Sequence, residues 1–98
     1  MPAYGIANYT IHNPEIFEKY PPAAVPTIQQ YGGKVLVADF DAQAKGSPHQ
    51  VSVVIEFSSV EAAQRWYESP EYSAIKHYRE ESTEGWVAIV PGYVIPAA

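Results

Sequence analysis

The chain has 98 residues, 47% hydrophobic, 13% aromatic and 17% charged, which predicts one folded domain over residues 1–98 and excludes both disorder and a separate cofactor domain. Six Lys plus Arg against eleven Asp plus Glu give a net charge of -5 with no basic run, so no nucleic-acid partner is expected. The absence of cysteine rules out disulfides and thiol chemistry, and no stretch nears the roughly 18 apolar residues of a membrane span, so the expectation is a cytoplasmic protein without membrane contact.

In chain order, Tyr4 to Ile11 is rich in aromatic and β-branched residues and predicts a strand ending at Asn13-Pro14, a helix cap followed by a first-position proline. Phe17, Tyr20, Ala24, Ile28 and Tyr31 then recur at helical spacing, and Gly32-Gly33 ends the run. Pro21, Pro22 and Pro26 interrupt it, which predicts a kink near Tyr20 or two short helices. Lys34 to Phe40 and Val51 to Phe57 read as an antiparallel pair joined by the polar stretch Gln43 to Gln50. Ser58 with Glu61 forms a capping-box pattern ahead of Val60, Ala63, Trp66 and Tyr67, and Ser69-Pro70 restarts a helix carrying Tyr72, Ile75 and Arg79, ended by Gly85. Trp86 to Val90 is the last strand. The order β-α-β-β-α-β predicts an α+β, ferredoxin-like domain with a four-stranded antiparallel sheet and the second helix broken at Ser69.

Strand alternation sorts the side chains. Val53, Ile55 and Phe57 should face the helices, with Ser52, Val54 and Glu56 on the open side; Tyr4, Ile6, Asn8, Thr10 and His12 share that open side. The apolar members of this face predict burial against a second copy, giving a homodimer whose sheets enclose a cavity.

Several residues are candidates for chemistry, each with a plainer reading beside it. Glu56 interrupts an apolar strand, so it is either a general base tuned by desolvation or half of a buried pair with Arg79 at the wall of a cavity. His12, at a strand end, is a second acid–base candidate or a solvated turn residue. Arg79 would clamp a ligand anion through its planar fork or pair with Glu56 or Glu71. Trp66 and Tyr72 are candidate walls for a planar ligand, or core; Tyr20, beside the double proline, suits a pocket mouth, and Asn8 is a further ligand-binding candidate. His49 and His77 read as solvated, as do Asp39 and Asp41, and the histidines lack metal-ligand spacing, so no metal site is expected. No glycine-rich phosphate loop or nucleophile elbow occurs.

Tyr20, Gly32-Gly33, Glu56-Phe57, Ser59, Ala63, Trp66-Tyr67, Ser69-Pro70-Glu71-Tyr72 and Arg79 together resemble domain-of-unknown-function family 1330, of the dimeric α/β-barrel superfamily with ferredoxin-like subunits. The resemblance spans nearly the whole chain. Departures are Ala44-Lys45-Gly46, where an acidic residue usually precedes the loop glycine, Ser58 in place of a proline, and the added Pro21-Pro22. It implies a homodimer through the open sheet faces and no established reaction. The superfamily includes cofactor-independent monooxygenases, isomerases and haem-degrading enzymes. Two functions follow as expectations: an enzyme without a cofactor, performing proton transfer or oxygenation on a small planar or acidic metabolite, or a non-catalytic small-molecule-binding or regulatory dimer.

Overall fold

Strand β1 (Ala3–Ile11) stops where Asn13 caps the chain ahead: its Oδ1 accepts from the Ile16 amide at 3.3 Å, and Pro14 opens α1 (Pro14–Phe17). The structure, a computed structural model, describes residues 1–96. A break at Glu18-Lys19 separates α1 from α2 (Tyr20–Gln30), so the proline-rich segment forms two short helices. Pro21 and Pro22 sit in the first turn of α2, whose amides have no carbonyl to reach, and they start the helix rather than interrupt it. Pro26 is carried inside α2. The helix ends on Gly32, at φ 79°, with the Gly32 amide bonded to the Gln29 carbonyl at 3.0 Å and the Gly33 amide to the Ile28 carbonyl at 2.8 Å.

Strands β2 (Lys34–Asp39) and β3 (Val51–Phe57) follow, then α3 (Val60–Tyr67), α4 (Pro70–Ser73), α5 (His77–Ser82) and β4 (Thr83–Pro91). The sheet runs β2-β3-β1-β4, antiparallel throughout, which is the ferredoxin-like α+β arrangement. Two boundaries differ from expectation. The cap of α3 is Ser59, whose hydroxyl accepts from the Ala62 amide at 3.0 Å; Glu61 then falls in the first turn and the capping box at Ser58 does not form. The last helix ends at Ser82, and β4 starts three residues before Trp86, so Gly85 lies within a strand. The break at Ser69 is as expected: its hydroxyl accepts from the Tyr72 amide at 3.1 Å and donates to the Trp66 carbonyl at 2.7 Å.

The core lies between the sheet and the helices, where Ile55 and Phe57 meet Ala24, Ile28, Ala63, Trp66 and Tyr72, with Val53 packed against them. A second cluster joins Tyr9, Phe17 and Val51. Each large side chain so buried contributes about 1.5–3 kcal/mol, and the aromatic pairs add to it: Trp66 and Tyr72 have centroids 4.2 Å apart, Trp66 and Phe57 5.5 Å. The Trp66 indole N–H donates to the Thr27 hydroxyl at 3.0 Å, which itself donates to the Ala24 carbonyl at 2.7 Å, tying α3 to α2 without an orphaned polar atom. No helix among the described residues is long and apolar enough to cross a membrane.

The other sheet face is open and carries Tyr4, Ile6, Val54, Ala88 and Val90 half-buried, with Val37 and the 49% exposed Trp86 beside them. Beyond β4, Tyr93, Val94 and Ile95 stand in solvent, Tyr93 at 84% exposure.

Gly85 is the tightest point between β4 and β1. At φ 157° it lies directly against the Asn8 carbonyl and the Tyr9 backbone, so a Cβ there collides with main chain, which cannot step aside. Gly85→Ala is expected to lower stability by about 2–3 kcal/mol, readable as a shift in the urea midpoint, whereas Gly46→Ala, in an open loop turn at φ 77°, should cost under about 1.5 kcal/mol.

Candidate functional site

The space between sheet and helices is not fully filled. Of the β1 residues facing the helices, Gly5, Ala7 and Tyr9 line this space, and two of the three are too small to reach the layer opposite. Ala24 on α2 and Ala38 on β2 are equally short. Around them stand Phe17, Tyr20, Trp66 and Tyr72, leaving a cavity of about 100 Å³. Its rim is formed by exposed Val25, Val35 and Phe40, the last 52% exposed and edge-on to Phe17 at 6.1 Å between centroids.

Arg79 is the one charged residue lining this cavity among the described residues. Its Nε–H donates to the Tyr72 hydroxyl at 3.4 Å and an Nη2–H to the Tyr67 hydroxyl at 3.2 Å, while the Tyr72 and Tyr20 hydroxyls share a hydrogen bond of 2.7 Å. Burial works against the guanidinium's charge, but the hydroxyls of Tyr72, Tyr20 and Tyr67 more than offset it and hold its pKa above the usual arginine value. Arg79 is therefore a permanent cation with neutral partners. Burial pushes the Tyr9 hydroxyl up to about 12, against the pull of Arg79, and burial followed by its neighbour Tyr72 pushes Tyr20 further above the ordinary tyrosine range. Both hydroxyls keep their protons at neutral pH, so each has a hydrogen to donate there and neither acts as a base.

Four of the seven predicted site residues, Arg79, Trp66, Tyr72 and Tyr20, thus meet at one cavity. The other three do not. Glu56 pairs in register with Tyr4 and Lys34 on the open side of the sheet, so the sheet separates it from Arg79 and the predicted buried pair does not form. Glu71, the other partner proposed for Arg79, is held by α2: the Tyr31 hydroxyl donates to its Oε1 at 2.8 Å and the Gln30 amide to its Oε2 at 3.2 Å, and the Tyr31 bond lowers its pKa. His12 follows directly on β1, with its side chain exposed and its backbone amide on the Ser82 carbonyl. Asn8, only 6% exposed, is occupied by the loop before β3: it accepts from the Ser47 hydroxyl at 2.7 Å and donates to the Val51 carbonyl at 2.9 Å. The same loop places His49 Nδ1 2.8 Å from the Thr10 hydroxyl, so His49 packs on the open face instead of standing free in solvent. The cavity itself lies within one subunit, between sheet and helices, not between two sheets as the open-face reading expected.

Tyr9, Phe17 and Phe40 were not among the predicted site residues. Tyr9 shares the parity of Val53-facing residues and was legible by alternation; Phe40 lies just past the end of β2, where parity no longer applies. Among the described residues no group of three or more His, Asp or Glu side chains comes together.

The chain belongs to the family described as domain of unknown function DUF1330, whose model matches residues 2–93. No curated protein matches it. Among solved structures it is similar to RPA0582, a protein of unknown function from Rhodopseudomonas palustris, at 15% identity and TM-score 0.74, covering 96% of this chain and 84% of that one. SnoaB, a cofactor-independent oxygenase from Streptomyces nogalater, is similar at 9% identity and TM-score 0.69, covering 96% and 95%. A dabb family protein with a ferredoxin-like fold from Mesorhizobium loti is similar at 14% identity and TM-score 0.60, covering 98% of each chain. At these identities the likeness is one of fold.

Two outcomes follow from this geometry. Because the sheet lies between them, Glu56→Gln and Arg79→Met should be additive in thermal or urea unfolding, with a coupling below about 0.5 kcal/mol in the double-mutant cycle. Raised tyrosine pKa values also make stability fall in base. The free chain loses tyrosine protons from about pH 10 while the folded chain keeps those of Tyr9 and Tyr20, so their contribution is complete below pH 10 and is lost progressively as pH rises toward 12 and beyond. Melting temperature should decline over that window, and Tyr9→Phe should flatten the decline.

Proposed function

We propose that the protein is a small-molecule-binding subunit of a homodimer, with its site in the cavity between sheet and helices. The observation that carries this reading is a cavity walled by aromatic rings whose charged group, Arg79, is satisfied only by neutral hydroxyls. A structural core would place an aliphatic residue there, because even a half-buried charge without a counter-charge loses hydration that neutral hydroxyls return only in part. The second copy belongs on the open sheet face, where Tyr4, Ile6, Val54 and Trp86 otherwise stay wet, and the exposed Tyr93 to Ile95 segment extends the same apolar surface. A cytoplasmic location and a single domain are parts of the same proposal.

Of the two functional classes, binding is better supported than base catalysis. An effective base works near the ambient pH, whereas Tyr9 lies at about 12 and Glu56 and His12 lie outside the cavity. What the cavity does supply is hydrogen-bond donors and one fixed positive charge, which stabilise a ligand or intermediate already carrying an anionic oxygen. Cofactor-independent oxygenation of such a ligand is the catalytic form of this proposal, and the fold shared with SnoaB, a cofactor-independent oxygenase, supports it.

Toluene is a suitable probe of the cavity alone. Titrated into the protein, it should give saturable NMR shifts at Tyr9, Trp66 and Tyr72. Ala7→Leu, which adds three carbons into the void, should abolish them while leaving the melting temperature equal or higher. Wild-type protein without saturable shifts would sink the cavity reading. Sedimentation should show a dimer at micromolar concentration that Val54→Asp converts to monomer; a wild-type monomer would leave the open face without its proposed cover.

A further inference from the structure

Arg79 has five N–H donors on a planar fork, and two of them go to the Tyr72 and Tyr67 hydroxyls. Neither partner carries a negative charge. The Tyr20 and Tyr72 hydroxyls hold two hydrogens between them and share one hydrogen bond, so whichever is the donor, one O–H hydrogen is left over at the same place. Guanidinium donors and a phenolic donor therefore lie together at the edge of a cavity whose wall is otherwise apolar. Tyr20 is reached through Tyr72, and the cation polarises that short chain toward donation.

The dimensions narrow the occupant. Drug-sized ligands take cavities of roughly 300–1,000 Å³, and an apolar cavity of about 150 Å³ holds one benzene ring. Here the space is about 100 Å³ and open along the Val25, Val35 and Phe40 rim. That is less than encloses one benzene ring, so an occupant is at most a single ring seated partly at the open rim; a fused bicycle would have to displace side chains that are themselves core. The lining is aromatic: Trp66 packs on Tyr72 with centroids 4.2 Å apart, and Phe17 on Tyr20 at 5.8 Å, which suits an aromatic occupant. The charge is matched by a single negative group, since one guanidinium cannot neutralise two, and a planar carboxylate accepts from a planar fork in bidentate fashion.

We infer that the cavity takes a monocyclic aromatic monocarboxylate, its ring among Phe17, Tyr20, Trp66 and Tyr72 and its carboxylate on the Arg79 guanidinium and the free tyrosine hydrogen. The inference rests on the cavity being the ligand site, and it sets Arg79 as the residue that selects anion over neutral ring. The net charge of -5 makes the selection local, because the protein as a whole repels anions.

The test uses the full chain at pH 7 with benzoate, its neutral analogue benzyl alcohol, and 2-naphthoate, followed by calorimetry and by the NMR shift of the Trp66 indole N–H. Benzoate should bind at least 10-fold more tightly than benzyl alcohol and 2-naphthoate at least 10-fold more weakly than benzoate. Arg79→Met should remove the preference for benzoate and leave the affinity for benzyl alcohol within a factor of about three. Tyr20→Phe and Tyr72→Phe keep the rings, guard against an Arg79→Met chain that does not fold, and should each weaken benzoate several-fold in a chain that is still folded at the assay temperature. Benzyl alcohol binding as tightly as benzoate, or benzoate affinity unchanged in Arg79→Met, or in both tyrosine variants when Arg79→Met does not fold, overturns the anion inference while leaving the cavity reading standing. If none of the three rings binds and toluene also fails, the cavity reading itself falls.

Discussion

The two-residue period of β1 and β3 governs where chemistry is placed in this domain. Every residue of these central strands is committed either to the helices or to the open face, and one step in sequence moves a group across the full thickness of the sheet. Val53, Ile55 and Phe57 carry the core while Val54 and Glu56, their immediate neighbours, look the other way. The same rule on β1 sends Gly5, Ala7 and Tyr9 toward the helices and Tyr4, Ile6 and Asn8 away from them. The cavity exists because the inward set contains two residues that cannot fill their share of the layer. Its emptiness is written at Gly5 and Ala7, and its aromatic character comes from helices that were already built of aromatics for core packing.

Arg79 shows which of two costs the fold has accepted. A half-buried guanidinium loses hydration, and hydrogen bonds from a cation to neutral hydroxyls, at about 1.5–3 kcal/mol each, return only part of that loss. A carboxylate beside it would balance the charge and also block the cavity. Glu71, an acid on the helix just before α5, is held on the α2 side by Tyr31 and Gln30 instead. Keeping the cation without a counter-charge leaves the field of Arg79 directed at whatever enters, which is what an anion site needs and what a packed core would avoid.

The order of elements was legible because each boundary has a local cause: Asn13-Pro14, Gly32-Gly33 and Ser69-Pro70 each place a cap or a turn where the backbone needs one. Misreadings arose where two local signals competed. Ser58 and Ser59 are both able to cap, and the choice fell to Ser59 because its backbone is extended, at φ -160° and ψ 164°. Gly85 resembles a helix stop, yet it serves the close approach of β4 to β1, a tertiary requirement that no window of neighbours contains. The site was half legible. Trp66, Tyr72, Tyr20 and Arg79 could be picked out by residue type and helical face, but their meeting point depends on what lies across the sheet. Glu56 drew attention as a charge in an apolar strand; that same strand's parity had already assigned it to the face away from the helices.

The separation of the two faces also bears on how assembly and ligand binding relate. The loop before β3 reaches over the open face through Ser47 and His49, and it fixes Asn8 and Thr10, the outward neighbours of Tyr9. Tyr9 in turn lines the cavity from the inward side. A single strand segment, residues 8–10, therefore touches the loop on one face and the cavity on the other, and β2, which begins that loop through Phe40, contributes the cavity rim. A load on the open face at Asn8 or Thr10 therefore acts on the strand that carries Tyr9, and a change at Tyr9 acts on the loop's anchors. For the dimer and ligand site proposed above, linkage makes any coupling through this segment reciprocal, each event changing the free energy of the other by the same amount.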